Sequence, residues 1–311
     1  MAGLHEGLGL ILPDAVRDPY KATTEKLNRF VLPVEKATSA IIKEDIKELE
    51  EQIKKFERII TGKASATEFD RLVPYSFLGV TAYESHDYST ALQYYKKALI
   101  QNPNNQVTMN YLFYCNYYTE NFEEALRISE AVTTQNPDGF LGYFLKAQAF
   151  EALGRLGDAI EMINEAFTRT TEDSKDRFTY VLITRSNILL LDEKWEDALS
   201  DVEKVLGIPP EMLEASARPS AIGNKCIALK KLGKKEDAVR ILQMELNKTR
   251  DKYLRACFYA TLDDKQNMLK MLEKAIEEDP MKNRLRAKID PDFVDFREDS
   301  DFKALVQPKQ T

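Results

Sequence analysis

YSFLGVTAYESHDYSTALQYYKKALIQNPNN, residues 75–105, sets the pattern from which the fold of the chain can be inferred. Two related stretches follow, MNYLFYCNYYTENFEEALRISEAVTTQNPDG at residues 109–139 and YFLKAQAFEALGRLGDAIEMINEAFTRTTED at residues 143–173. Ala91, Ala125 and Ala159 stand 34 residues apart in succession, and so do Pro103 and Pro137. Each stretch consists of an apolar helix, a short turn and a second helix, so the sequence predicts a helical repeat.

The recurring small residues have a physical reason. Two antiparallel helices approach closely only where one of them presents a small side chain to the other. Proline recurs after the second helix because it cannot continue one. A single helix pair cannot bury its apolar face, so successive pairs must stack into a solenoid.

This pattern resembles the tetratricopeptide repeat family. The first stretch carries the family's signature positions at Tyr75, Leu78, Gly79, Ala91, Tyr95, Ala98 and Pro103. Later stretches keep fewer of them, and a degenerate last one has Ala256, Tyr259, Ala275 and Pro280. The resemblance spans roughly residues 70–280 and implies an all-α, right-handed superhelix of about six helix-turn-helix repeats, with a long N-terminal helix and a C-terminal capping helix.

The composition shifts divide the chain into four segments. We expect an irregular N-terminal arm at 1–38, a long amphipathic helix at 39–66, the repeat array at 67–280, and a C-terminal cap and tail at 281–311. In the tail, the sequence IDPDFVDFREDSDFKALV places apolar side chains that we expect to plug the open end of the last helix pair: Phe293, Phe296, Phe302 and Leu305.

The predicted long helix has an apolar stripe at alternating spacings of four and three, typical of a heptad pattern. Its members are Ile42, Ile46, Leu49, Ile53, Phe56 and Ile60. The stripe either dimerises as a coiled coil or covers the first repeat as a cap, because the end of a solenoid needs covering.

A candidate binding groove follows from the register that Ala125 fixes. The resemblance implies that the concave side of the first helices carries Asn110, Tyr114, Tyr117, Phe144, Gln148, Glu151, Ile183 and Asn187. Aromatic rings give a large contact area and amides can bond a peptide backbone, so this set predicts a slot for a protein segment. The alternative is that the groove is filled by the chain's own N-terminal arm or long helix.

The charge and the cysteine content limit the classes of partner and the cellular location that we expect. The net charge is −7, which argues against a nucleic-acid ligand because such a binder needs a basic surface. The N-terminus has no basic segment followed by an apolar run, and we expect neither a signal peptide nor a membrane span. Three cysteines without paired spacing indicate a reducing, cytoplasmic location.

The sequence offers no pattern typical of catalysis. Its two histidines, His5 and His86, have no metal-ligand partners at the usual spacings, and no phosphate-binding loop is present. We therefore expect a non-enzymatic protein without a cofactor or metal.

Three functions remain open. The first is an adaptor or scaffold that binds a protein or peptide partner in the groove and supports assembly of a larger complex. The second is a structural subunit that forms homo-oligomers through residues 1–66, with the groove self-occupied. The third is a regulator that senses a short peptide. The fold alone does not decide between them.

Overall fold

The computed structural model describes Arg58, residues 68–170 and residues 175–307, and these ranges contain helices and no strand. The α-helices, numbered in chain order, are α1 (Glu68–Glu84), α2 (Tyr88–Gln101), α3 (Gln106–Tyr118), α4 (Phe122–Gln135), α5 (Phe140–Ala152), α6 (Leu156–Thr168), α7 (Lys175–Leu191), α8 (Trp195–Leu206), α9 (Ala217–Lys231), α10 (Lys235–Leu246), α11 (Lys252–Thr261), α12 (Lys265–Glu278), α13 (Pro280–Ile289) and α14 (Ser300–Val306). Short 3-10 segments lie at Pro210–Met212 and Pro291–Phe296.

The helices pack in the order of a repeat array. Within a repeat, α1 packs on α2, α5 on α6, α7 on α8, α9 on α10 and α11 on α12. The second helix of one repeat also packs on the first helix of the next, as in α4 with α5 and α6 with α7. The first helices α5, α7, α9 and α11 contact one another in that order, and we call these four the first-helix row. The predicted all-α fold of stacked helix-turn-helix units is confirmed.

The turn inside each repeat contains one residue in the left-handed region. The backbone there carries two hydrogen bonds back to the first helix, for example from Gly154 N to Glu151 O and from Arg155 N to Phe150 O. This geometry is the usual way to end a helix and turn the chain sharply. Within the described ranges, the six left-handed residues are His86, Glu120, Gly154, Glu193, Gly233 and Asp263.

Small residues mark the close helix contacts, as the repeat pattern predicts. Ala91, Ala125 and Ala159 are fully buried. Gly142 lies where α5 approaches α4, and an added Cβ would stand 2.6 Å from the backbone nitrogen of Thr133. A side chain at this position would push the two helices apart.

The chain divides into two compact parts, residues 1–115 and residues 116–311. In the first part, the rings of Tyr95 and Tyr111 stack at 5.1 Å, and Tyr83 meets Tyr111 edge-on. In the second part, one apolar cluster combines α9–α12 with the tail, where Phe293 and Phe302 are buried. The tail thus belongs to the core of the second part.

The predicted N-terminal arm (1–38) lies outside the described residues. So does the apolar stripe of the predicted helix at 39–66, of which only Arg58 is described, in a helical conformation. None of the helices in the described part of the chain combines enough length with enough apolar residues to span a bilayer.

Candidate functional site

The predicted groove residues all lie on first helices. In the first compact part, Asn110 and Tyr114 are half-buried on α3. The ring of Tyr114 meets that of its neighbour Phe113 edge-on at 5.2 Å. Phe113 itself is fully buried, as predicted for a core position, and Cys115 is buried beside it in sequence.

In the second compact part, the aromatic members of the predicted set are largely buried. Tyr117 is 5% exposed and packs edge-on against Phe122, and Phe144 is 7% exposed beside Phe140. Gln148, one turn further along α5, is half-buried. The rings of Tyr117 and Phe144 are therefore packed into the protein and expose little area to solvent.

The two predicted residues on α7 take part in packing and in a polar network. Ile183 packs against the apolar cluster that contains Phe178 and Leu182. Asn187 accepts a hydrogen bond from Nδ2 of Asn224 on α9, at 2.6 Å, and the same nitrogen bonds the hydroxyl of Ser186. This buried network links the α7 and α9 members of the first-helix row.

The first-helix row holds a segment of the chain's own tail. The 3-10 segment at 291–296 contacts α7, α9 and α11. Residue Asp290, which precedes it, accepts a hydrogen bond from the hydroxyl of Tyr253 at 3.1 Å, and Asp292 accepts one from Thr261 at 2.9 Å. We call residues 290–297 the strap.

Charged contacts hold the strap at its far end. Lys231 on α9 lies 3.5 Å from a carboxylate oxygen of Asp295 and also lies over the ring of Trp195. Arg297 donates hydrogen bonds to the carbonyl oxygens of Ile289 and Asp290, which closes the strap on itself. The buried Nε atom of Arg297 has no hydrogen-bond partner within the described residues.

Glu151, near the end of α5, interacts electrostatically with Asp290 and Arg297 of the strap. Burial first, and the charge of Asp290 second, raise the pKa of its carboxyl to about 8, although Arg297 acts in the opposite direction. Burial and the adjacent Asp290 carboxylate likewise hold the pKa of Asp292 well above its usual range. Asp290 therefore acts electrostatically on both Glu151 and Asp292.

A thiol and two carboxyls of this region have the atom types of metal ligands. The ligand atoms of Cys257, Asp290 and Asp292 lie within 4.8 Å of one another. The carboxyls already accept hydrogen bonds from Tyr253 and Thr261, and burial raises the pKa of the Cys257 thiol well above its usual value. We assign these groups a structural role and derive no metal chemistry from them.

The tail aromatics lie in a common cluster. Phe293 is fully buried, meets Tyr253 edge-on at 5.9 Å and lies 5.5 Å from the ring of Phe302. Phe296 and Leu305 are partly buried against the same cluster. All four tail residues singled out in the sequence thus pack on the last repeats.

Family models describe two segments of this chain. Residues 82–148 and residues 252–280 each match a model of the tetratricopeptide repeat. The first match runs from the end of α1 into α5, and the second covers α11 and α12. These two segments are tetratricopeptide repeats.

Solved structures of tetratricopeptide repeat proteins share the fold. One from Parabacteroides merdae has a TM-score of 0.58 at 14% identity, over 84% of this chain and 97% of that one. A thermophilic TPR protein from Thermus thermophilus has a TM-score of 0.50 at 19% identity, over 61% of this chain and 98% of that one. Among curated proteins, none matches this sequence closely enough to be called a relative.

Tetratricopeptide repeat proteins are generally non-enzymatic interaction modules, and their stacked repeats present extended surfaces to protein partners. In this tetratricopeptide array, sequence reasoning placed Glu151 on the first-helix row but did not find the charged groups that act on it, Asp290 and Arg297. The available signal was the density of acids around two phenylalanines in DPDFVDFRED, which has no counterpart in the repeats.

A second polar feature lies away from the predicted groove. A cleft of about 330 Å³ opens between α6, α7 and α8. At its base Arg185 binds both carboxylate oxygens of Asp201 at 2.6 Å, and its guanidinium covers the ring of Phe167. Because Asp201 is almost fully buried and already paired, we interpret this ion pair as structural.

Proposed function

We propose that this protein is a non-enzymatic adaptor. It holds a segment of a partner protein against the first helices of its repeats and so supports assembly of a larger complex. The proposal rests on the family, whose repeats serve as interaction scaffolds, and on the residues that the first helices present.

One observation carries the proposal. The first-helix row already receives an irregular peptide segment, the strap, through hydrogen bonds from Tyr253 and Thr261 and the ion pair of Lys231. A surface that holds one irregular segment by side-chain contacts has the chemistry needed to hold another.

The residues proposed to contact the partner divide by their exposure. Tyr114 and Gln148 are half-buried, so their outer atoms can meet a peptide directly. Tyr117 and Phe144 are more deeply buried and would form the apolar floor below it. Asn110 on α3, Glu151 on α5, and Ile183 and Asn187 on α7 complete the set of proposed contact residues.

Affinity capture followed by mass spectrometry tests the adaptor function. We expect the unmodified protein to retain a specific partner that the Tyr114→Ala/Gln148→Ala variant loses while it remains folded by circular dichroism. Glu161→Ala, an exposed change on the second helix α6, is the matched control and should retain the partner. Equal capture by all three proteins would contradict the proposed site.

We also propose that the protein acts in the cytoplasm on a protein ligand, not a nucleic acid. All three cysteines are free and buried, which suits a reducing compartment. The net charge of −7 disfavours phosphate backbones.

The apolar stripe between Ile42 and Ile60 motivates a second candidate, a structural subunit that forms homo-oligomers through residues 1–66. It predicts that Ile46→Glu/Ile53→Glu reduces the mass of the full chain in light scattering, because a charge in a coiled-coil seam is unfavourable. Lys47→Glu/Lys54→Glu changes the same predicted helix outside the stripe and should leave the mass unchanged. An unchanged mass in both variants would remove this candidate.

A further inference from the structure

Contacts between α13 and the turn that follows α3 suggest a device separate from partner binding. We propose that Lys282 and Lys288 on α13 form a latch with Tyr118 and Glu120, and that this latch holds the beginning and the end of the second compact part together. Opening the latch lets the stacked repeats between them change their curvature. The latch can be measured without any partner, so its failure and that of the adaptor function are distinguishable.

Two side-chain contacts form the latch. The ammonium of Lys288 donates a hydrogen bond to a carboxylate oxygen of Glu120, and the two side chains make an ion pair. The ammonium of Lys282 lies over the ring of Tyr118, 5.7 Å from its centroid, which is within the range of a cation–π interaction. Both contacts join the same two elements, so they support each other.

The latch is not a consequence of repeat stacking. In a solenoid, each repeat contacts its neighbours in sequence. Glu120 lies in the turn between α3 and α4, whereas Lys288 comes 168 residues later, beyond the last helix pair of the array. A direct contact across all the intervening repeats therefore adds a connection that the repeat pattern does not provide.

On its own side of the latch, α13 is packed into the end of the array. It contacts α12, α14 and the strap, and its residues Leu285 and Ala287 are buried. The guanidinium of Arg286 lies over the ring of Tyr253 on α11, 3.8 Å from its centroid. Opening therefore separates the turn from α13 and leaves α13 in place on the last repeat.

The charges on the two sides of the latch are complementary, and the contact is accessible to solvent. The sequence of α13, PMKNRLRAKI, has four basic residues and no acidic one. Lys288 is 30% and Glu120 is 44% exposed, so salt can screen their attraction. Contacts of this kind each shift an equilibrium by up to about fivefold. Such a latch favours the closed state and still permits opening.

Pulsed electron–electron double resonance can measure the distance across the latch in the full-length protein. One spin label is placed at Glu130→Cys on α4 and the other at Met281→Cys on α13, because both positions are exposed while the three native cysteines are buried. At low salt we expect one main, short distance. Raising the salt to about 1 M should increase a fraction with longer distances, because screening weakens the ion pair.

Reversing both lysine charges should open the latch. In Lys282→Glu/Lys288→Glu we expect the ratio of open to closed molecules to rise at least about tenfold, because two contacts are lost and Glu120 is repelled. Lys303→Glu breaks an exposed ion pair with Glu298 instead and is the matched control. It should leave the distance distribution unchanged.

A charge swap separates the ion pair from a general effect of charge. Lys288→Glu alone should increase the fraction with longer distances, and Glu120→Lys/Lys288→Glu, which restores opposite charges, should return it towards the wild-type value. Circular dichroism checks that every variant is folded. An unchanged distance distribution after reversal of both lysines, or a swap variant as open as Lys288→Glu, would overturn the proposal.

Discussion

At the scale of single residues, the sharpest requirement is the left-handed backbone inside each repeat turn. Gly154 and Gly233 adopt it with φ values of 71° and 80°, while Glu193 and Asp263 adopt it with side chains attached. A residue with a Cβ is strained in this conformation, so the glycines relieve strain that the other turns retain.

Gly154→Ala isolates this backbone effect, because no atom lies within 4 Å of the added Cβ. We expect the free energy of unfolding to fall by about 1 kcal/mol in a urea titration. Gly157→Ala, three residues on within α6 and equally uncrowded, should instead leave stability unchanged or raise it by up to about 1 kcal/mol. Equal effects at the two sites would mean that the turn does not require the left-handed conformation.

The buried ion pair of Arg185 and Asp201 makes a second residue-scale prediction. Arg185→Met leaves the nearly buried Asp201 carboxylate with only Lys204, at 3.5 Å, as a partner. We expect a loss of about 3 kcal/mol in the free energy of unfolding. Arg127→Met removes an exposed ion pair with Glu124 and should cost less than about 1 kcal/mol. A similar small cost for both would show that Asp201 is solvated.

At the scale of elements, the capped starts of the last helices position the tail. The side chain of Asp279 accepts a hydrogen bond from Lys282 N at the start of α13, and that of Asp299 accepts from Phe302 N at the start of α14. Such caps satisfy backbone donors that a helix start leaves unpaired. They fix where α13 begins and where the chain enters α14 after the strap.

Phe293→Ala tests how strongly the tail belongs to the second compact part. Because this ring is fully buried, we expect a loss of about 3–5 kcal/mol in the free energy of unfolding. Val294→Ala, at a neighbouring residue that is 44% exposed, should cost less than about 1 kcal/mol. A small cost at both positions would show that the strap packs loosely.

The sequence predicted some features of these elements and missed others. The period of 34 and the buried Ala91, Ala125 and Ala159 could be read directly, because close helix packing requires small residues at fixed offsets. The position of each turn could be predicted too, but Glu193 in a left-handed conformation could not, since tertiary packing overrides the local preference for glycine there.

At the scale of the whole molecule, the sequence could not predict that Asp290 and Arg297 of the strap act electrostatically on Glu151. The tail has no repeat period, so its path across the first-helix row leaves no periodic signal to place those charged groups. The predicted groove residues, by contrast, could be placed on first helices because Ala125 fixed the register of the array.

The reactivity of the three cysteines reports on the folding of both compact parts, because Cys115 lies in the first part and Cys226 and Cys257 lie in the second. Burial raises the pKa of the Cys115 and Cys226 thiols to about 12. We expect all three to resist iodoacetamide at pH 8 in the native protein and to react when urea unfolds the part that contains them, measured by mass spectrometry. Rapid labelling without urea would contradict their burial.

The central claim is that the first-helix row is the surface on which this protein holds a partner. Site-specific photo-crosslinking in lysate tests it most directly, with the photoreactive amino acid at Gln148 on α5 or, as the control, at Glu161 on α6 of the full-length protein. The account predicts a crosslinked partner protein at position 148 that is absent at position 161. Crosslinking of the same proteins at both positions, or only within the chain itself at 148, would contradict it.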